Sequence, residues 1–139
     1  MVLIFSTCRK AEENNFKDGE WRISTLRMNK DTADALRLFL PIYSAQGSKS
    51  KYDFDFADNK IVLSTYYFQD TIVFTKEGEW ELREKNEMYL YVDNFINGTF
   101  SLTKLSADEY NFTSTEDSNY IEALDSVVRL SFKLRRTAN

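Results

Sequence analysis

Runs in which apolar and polar residues alternate recur along this chain from Gly19 to Arg136, and turn residues separate them. A period of two places the apolar side chains on one face of an extended strand and the polar side chains on the other. The clearest examples are 52–56, 80–83, 99–103, 109–113 and 128–134. The pattern predicts antiparallel strands with one buried face and one solvated face.

Turn residues set the limits of these strands, because Asp, Asn and Gly tolerate the backbone conformations that tight turns require. We predict turns at 58–59, 76–78, 85–86 and 96–98. The extended segments that remain are 20–28, 52–56, 60–66, 70–75, 79–84, 87–93, 99–105, 109–114 and 127–135. We interpret them as about eight strands, most of them joined by short connections.

An antiparallel meander of about eight strands favours an all-β fold in which the sheet closes into an up-and-down barrel. Closure removes exposed strand edges and leaves an interior for side chains or for one small ligand. A two-sheet sandwich is the alternative architecture.

Two stretches depart from the strand pattern. Apolar residues recur at helical intervals between Asp31 and Tyr43, and Pro41 ends any helix there, so we predict a short helical insertion after the first strand. Residues 44–50 form a polar loop in this prediction. A second polar stretch, 116–125, is expected to be a loop with a short helical turn before the last strand.

Composition narrows the range of functions. The 139 residues suffice for one domain, and aromatic residues make up 15% of them, which suits half-buried strands. The formal charge of -4 is spread along the chain, so nucleic-acid binding has no electrostatic basis. The chain has no histidine and one cysteine, which excludes histidine-dependent catalysis and multi-cysteine zinc sites. We therefore predict a protein that is not an enzyme and has no metal or cofactor.

The amino terminus resembles the end of a bacterial lipoprotein signal. An apolar run, Val2 to Phe5, is followed by two hydroxyl residues, then Cys8, then the polar segment 9–15. The resemblance implies that Cys8 carries a lipid and that residues 1–18 are a signal remnant and solvated tether in front of a domain at 19–136. A first strand or a disordered tail with an incidental cysteine is the alternative.

The domain itself resembles the lipocalin-like domains of small lipoproteins of Bacteroidota. Gly19-Glu20-Trp21 matches the start of the first lipocalin strand, and later hairpins follow in a similar order at 78–82, 88–92, 100–105 and 110–112. The resemblance implies a calycin-type barrel in which Arg135, or else Arg136, packs over Trp21 in a structural role. It also implies an envelope location in a Gram-negative bacterium, on the periplasmic or outer-membrane face.

The inward faces of such a barrel suggest a binding site for a small hydrophobic molecule. The predicted ligand-binding residues are Phe54, Leu63, Tyr66, Phe68, Trp80, Leu90, Phe100 and Phe112. The alternative is that these side chains fill the barrel and that the outer surface contacts another envelope protein. Two carboxylate pairs, Asp53 with Asp55 and Glu79 with Glu81, lie on the polar faces of strands, where solvated carboxylates are the expected interpretation.

Overall fold

A computed structural model describes residues 2–29, 50–83, 86–93, 95–115, 119–121 and 126–137; side chains are described from Lys10 onward within these ranges, except at 119–121 and 126–127. The helical insertion predicted at 31–43 lies outside these residues. Within the described residues, one helix, α1 (Val2–Lys17), precedes ten strands. The strands are β1 (Trp21–Met28), β2 (Ser50–Phe56), β3 (Ile61–Phe68), β4 (Thr71–Arg83), β5 (Glu87–Val92), β6 (Ile96–Ser106), β7 (Glu109–Ser114), β8 (Asn119–Ile121), β9 (Ser126–Val128) and β10 (Leu130–Arg136).

Eight of the strands form a closed antiparallel barrel in the order β1-β10-β7-β6-β5-β4-β3-β2. The barrel closes because β1 pairs with strands on both sides: Trp21 lies opposite Arg136 on β10 and opposite Phe54 on β2. The predicted all-β, up-and-down barrel is therefore confirmed, and the sandwich is not adopted. Strands β8 and β9 form a separate two-stranded sheet between β7 and β10, in the region for which the sequence predicts a loop with a helical turn.

The turn predicted at 76–78 is wrong, because β4 continues through it for 13 residues. Gly78 lies opposite Val62 on β3. A Cβ atom on Gly78 would lie 2.0 Å from the backbone oxygen of Tyr91 on β5. Glycine is therefore present because two strand backbones approach closely there, which is a known role of glycine inside strands.

The turn predicted at 96–98 is displaced toward the amino terminus. Strand β5 ends at Val92, and the Phe95 N–H donates to the Val92 carbonyl over 3.0 Å. Ile96 already lies in β6, opposite Val92. Ile96 is fully buried, and its contribution to the core favours a strand over a turn at this position.

The core runs through the whole barrel, since the described inward side chains are almost all buried and apolar. Its fully buried large side chains are Phe16, Trp21, Leu26, Phe54, Phe56, Tyr66, Met88, Leu90, Phe100, Tyr110, Phe112 and Phe132. All but Phe16 belong to barrel strands. Residues 9–17 were expected to be a solvated tether, whereas they continue a helix and place Phe16 inside the barrel.

Candidate functional site

Six of the eight predicted ligand-binding residues are buried in the barrel. Phe54, Tyr66, Leu90, Phe100 and Phe112 have no exposed surface, and Trp80 is 3% exposed. A seventh, Phe68, is partly buried and packs against the same core. These side chains are brought together as the sequence pattern predicts.

Leu63 is the exception, since it lies outside the barrel and is 37% exposed. Tyr66 is three residues away, and a period of two cannot place both side chains on the inner face. The register settles which of them is inside: Tyr66 lies opposite Tyr52 and is buried, whereas Leu63 lies opposite Asp55. Ile72 on β4 is likewise exposed, at 58%.

Aromatic rings contact one another along the interior. From the end where α1 packs, which we call the closed end, Phe16 contacts Phe56 at a centroid distance of 5.3 Å. Phe54 lies 6.4 Å from Phe56 and 5.2 Å from Tyr52. Tyr52 stacks on Phe95, 5.4 Å away, next to the turn between β5 and β6. The row therefore reaches the opposite end of the barrel.

A second row of contacting rings lies on the other side of the interior. Phe16 and Phe112 lie 6.2 Å apart, and Phe112 stacks on Phe132 at 4.9 Å. Phe132 then meets Phe100 edge to face at 5.2 Å. Such arrangements are the preferred geometries of aromatic pairs. Side chains thus occupy the inside of the barrel on both sides of its axis.

Phe16 is the residue through which α1 closes the barrel. Its ring lies 5.3 Å from Trp21 and 4.6 Å from Tyr110. The indole Nε1 of Trp21 donates a hydrogen bond of 2.9 Å to the Phe16 carbonyl. Gly19, with a φ of 87°, supplies the left-handed conformation that allows the chain to leave the helix and enter β1.

Arg136 binds the carboxyl-terminal end of α1 to the barrel. Its guanidinium carbon lies 4.5 Å from the Trp21 ring centroid. The guanidinium also donates to the Asn15 carbonyl at 3.2 Å, to the Asp18 carbonyl and to Asp108 Oδ1 at 2.7 Å. A cation at the carboxyl-terminal end of a helix satisfies free carbonyls and complements the helix dipole.

This contact selects between the two arginines proposed to cover Trp21. Leu130, Phe132 and Leu134 alternate on the inner face of β10, and Arg136 continues that series. Arg135 lies opposite Arg22 on the outer face and is exposed. Arg136 therefore occupies the position for which Arg135 was the first choice.

Polar contacts from the helix complete the closed end. Glu12 accepts hydrogen bonds from Lys104 at 2.9 Å and from the Tyr110 hydroxyl. The Asn15 amide donates to the same hydroxyl at 3.1 Å and to the Ala107 carbonyl at 2.8 Å. Burial, and then the hydrogen bond to Glu12, raise the pKa of Tyr110 well above its usual value. Tyr110 is therefore neutral at physiological pH.

Buried hydroxyl groups near the opposite end have partners. The Tyr52 hydroxyl lies 3.0 Å from Ser64 Oγ, and Ser64 donates to the Lys76 carbonyl at 3.4 Å. Burial raises the pKa of Tyr52 to about 12, against a smaller opposing effect of the Ser64 hydrogen bond. The hydroxyl groups of Tyr52 and Ser64 both have hydrogen-bond partners, which explains how these polar groups are tolerated in the core.

The carboxylate pairs lie on the outer face of the barrel, and two of their four members, Asp53 and Glu81, have described cationic partners. Asp53 is only 6% exposed, so the prediction that it is solvated is wrong. Asp53 receives two hydrogen bonds from Arg22, at 2.8 and 3.1 Å. Glu81 accepts from Lys60 at 2.6 Å and from Arg83 at 3.2 Å, and these bonds lower its pKa. Within the described part of the chain, no three potential ligand residues are arranged to hold a metal ion.

A surface pocket of about 260 Å³ lies beside the closed end, between α1 and the end of the β2–β3 turn. Glu13 and Lys17 line it from the helix, and Lys60, Trp80 and Glu81 line it from the barrel. The Lys60–Glu81 ion pair, 2.6 Å long, forms part of its wall. The two charges neutralise each other, so the pocket has no clear preference for a charged ligand.

Cys8 lies in the first half of α1. The described contacts between α1 and the barrel come from residues 12–17, which follow Cys8 in the chain. Among the described residues, no helix has the length and hydrophobicity needed to cross a bilayer. Comparison of the chain with protein-family models, with curated proteins and with solved structures finds no match.

Neither Phe16 nor the closed end that it forms was predicted from the sequence. Phe16 is the single large apolar residue in an otherwise polar stretch, 9–18. Two local signals were present: Lys17 in a position typical of the last turn of a helix, and Gly19 in the position typical of a helix stop. Together they indicate that a helix ends immediately before β1.

Proposed function

We propose that this protein is a non-enzymatic interaction module of the cell envelope, in which a filled β-barrel presents its outer surface to another protein. The observation that carries the proposal is the contact of aromatic rings from Phe16 at the closed end to Phe95 at the opposite end. The same side chains that would line a ligand pocket are in contact with one another.

Accommodating a ligand would require these contacts to be given up. Pockets for drug-sized molecules have volumes of roughly 300–1,000 Å³. Phe112 and Phe132 lie 4.9 Å apart, and Phe100 and Phe132 lie 5.2 Å apart, so several rings would have to move to open such a space. Each displaced ring would lose packing that contributes to stability. Filled packing therefore favours the interaction module over a carrier of hydrophobic molecules.

A thermal-shift experiment tests this proposal. We expect long-chain fatty acids, retinol and phospholipid to leave the melting temperature of the full-length protein unchanged, because a filled interior offers them no site. Phe112→Ala is the matched control: loss of the ring leaves an apolar cavity, so benzene should raise the melting temperature of the variant alone. Saturable stabilisation of the wild-type protein by a panel member would contradict the proposal and restore the ligand-binding interpretation.

The location in the envelope rests on lipidation of Cys8. The contacts of α1 with the barrel that involve residues 12–17 do not depend on the residues before Cys8, so cleavage at that cysteine is compatible with the closed end. We expect labelled palmitate to be incorporated by cells that express the wild-type chain and not by cells that express Cys8→Ser. Equal palmitate labelling of the wild type and Cys8→Ser, or no labelling of the wild type, would contradict the proposal that Cys8 carries a lipid anchor.

A further inference from the structure

Strand β4 extends beyond its neighbour β5. It pairs with β3 from Thr71 to Glu79, but its pairing with β5 covers Glu79 to Arg83 alone. Residues 71–77 consequently have a strand partner on one side within the described ranges. We call this segment the free edge of β4.

The free edge presents backbone groups to solvent. The Trp80 N–H donates to the carbonyl of Lys60, the residue before β3, at 3.0 Å, so residues at even positions of this part of β4 direct their backbone groups toward β3. Thr75 and Glu77 direct theirs to the other side. No described residue hydrogen-bonds those backbone groups. An unpaired strand edge of this kind is a template for the addition of another strand.

A side chain, rather than a strand, spans the gap beside the free edge. Lys76 lies on the inner face, opposite Ser64. Its ammonium group donates to the Asp93 carbonyl at 3.1 Å and lies 5.1 Å from the Phe74 ring centroid. The gap between β4 and the β5–β6 turn is thus wide enough for a lysine side chain.

The side chains around the free edge define what would fit there. Ile72 is 58% exposed and Val73 is 37% exposed, and Leu63 on β3 faces the same side. Glu77 and Glu79, further along the outer face, are both exposed and form no ion pair with a described residue. The surface therefore combines apolar residues with two carboxylates that have no cationic partner among the described residues.

We propose that the free edge of β4 binds an extended segment of a partner protein, in which basic and apolar residues alternate, by strand addition. This inference rests on the proposed function and names the chemistry of its partner. The added strand displaces the Lys76 ammonium group from the Asp93 carbonyl. The backbone groups of Thr75 and Glu77 then pair with the added strand, and its lysine or arginine side chains on the outer face neutralise Glu77 and its diagonal neighbour Glu79. Its apolar residues lie on the other face, toward Phe74.

A second copy of this chain fits the edge less well. If two free edges paired antiparallel with Thr75 opposite Glu77, each Lys76 would face Lys76 of the other copy. Like charges directly opposite one another on paired strands are destabilising. With Thr75 opposite Thr75, Glu77 would face Val73 and the carboxylates would stay unneutralised. Charge complementarity therefore favours a basic partner.

Binding of two synthetic peptides to the full-length protein tests the proposal. One is a fluorescein-labelled eight-residue peptide in which lysine alternates with valine, and the other has glutamate in place of lysine. We expect the lysine peptide to bind about tenfold more tightly than the glutamate peptide in fluorescence anisotropy. It should also slow hydrogen exchange at the amides of Thr75 and Glu77.

Variants at two positions separate strand addition from unspecific attraction. Thr75→Pro removes the N–H that faces the added strand and should abolish binding, whereas Thr75→Val keeps it and should bind like the wild type. Glu77→Lys should reverse the preference between the two peptides, and it remains informative if Thr75→Pro does not fold.

Three results would overturn the inference: unchanged binding by Thr75→Pro, an unchanged peptide preference in Glu77→Lys, or no binding of either peptide. A dimer that Thr75→Pro abolishes would assign the edge to a second copy instead. Each of these peptide-binding results is compatible with the proposed function, provided that no lipid or retinol raises the melting temperature of the wild-type protein. Stabilisation by an apolar ligand would instead contradict the proposed function itself, whatever the peptides do.

Discussion

Replacing Phe16 with alanine is expected to lower the free energy of unfolding by about 3–5 kcal/mol, the usual cost of removing a buried phenylalanine ring. Phe16 is fully buried, and its ring contacts Trp21, Tyr110 and Phe56. The substitution leaves a cavity at the closed end and removes the main apolar contact between α1 and the barrel. Urea unfolding followed by tryptophan fluorescence measures the effect.

Asn14→Ala is the matched control, since Asn14 is exposed on the same helix. Its free energy of unfolding should differ from that of the wild type by less than about 0.5 kcal/mol. A loss of under about 1 kcal/mol for Phe16→Ala would mean that the helix contributes little to the closed end. In that case residues 9–17 would behave as the solvated tether that their composition suggests.

Gly78→Ala is expected to lower the free energy of unfolding by about 3 kcal/mol, toward the upper end of the usual cost of overpacking. The added methyl group would stand 2.0 Å from the Tyr91 backbone oxygen, and a backbone atom cannot move aside as a flexible side chain can. Pairing between β4 and β5 would have to shift. Thermal and urea unfolding both report the loss.

Glu79→Ala provides the comparison for Gly78→Ala, because Glu79 is the next residue of β4 and its side chain is exposed. The Glu79→Ala substitution should leave the free energy of unfolding nearly unchanged. Equal stability of Gly78→Ala and the wild type would show that the Tyr91 backbone oxygen lies further from a Cβ atom at position 78 than 2.0 Å. It would also revive the interpretation of 76–78 as a turn, where a small residue is easily replaced.

Strand positions and barrel closure were predictable from the sequence because the period of two is a local signal. Gly78 shows where that signal is ambiguous. Glycine indicates a turn when only neighbouring residues are considered, yet here it marks the close approach of two strands. The approach of Tyr91 depends on the register between β4 and β5, which no local pattern contains.

The sequence predicts that apolar and aromatic side chains fill the inner face of the barrel, but the prediction was wrong about which residues face inward at two positions. Assigning Leu63 and Tyr66 to the same face ignored their odd spacing, and applying the period strictly would have placed Leu63 outside. The same rule, applied from Leu134, selects Arg136 over Arg135. These two errors were avoidable from the sequence alone.

The closed end was harder to predict. Residues 9–18 are polar apart from Phe16, and helices of that composition are stabilised by tertiary contacts rather than by propensity. The contacts come from Tyr110 and Arg136, which are about a hundred residues away in the chain. Helix-stop signals at Lys17 and Gly19 indicated where the helix ends, but not what it packs against.

Native mass spectrometry tests the central claim, that side chains fill the barrel and that the protein acts through its outer surface. The full-length protein would be purified from its own host under gentle conditions, and the sample would be extracted with organic solvent. We expect the mass of the polypeptide with its covalent modifications and no stoichiometric apolar passenger. A passenger bound one to one, and released by the solvent, would contradict the claim and identify the protein as a carrier of that class of molecule.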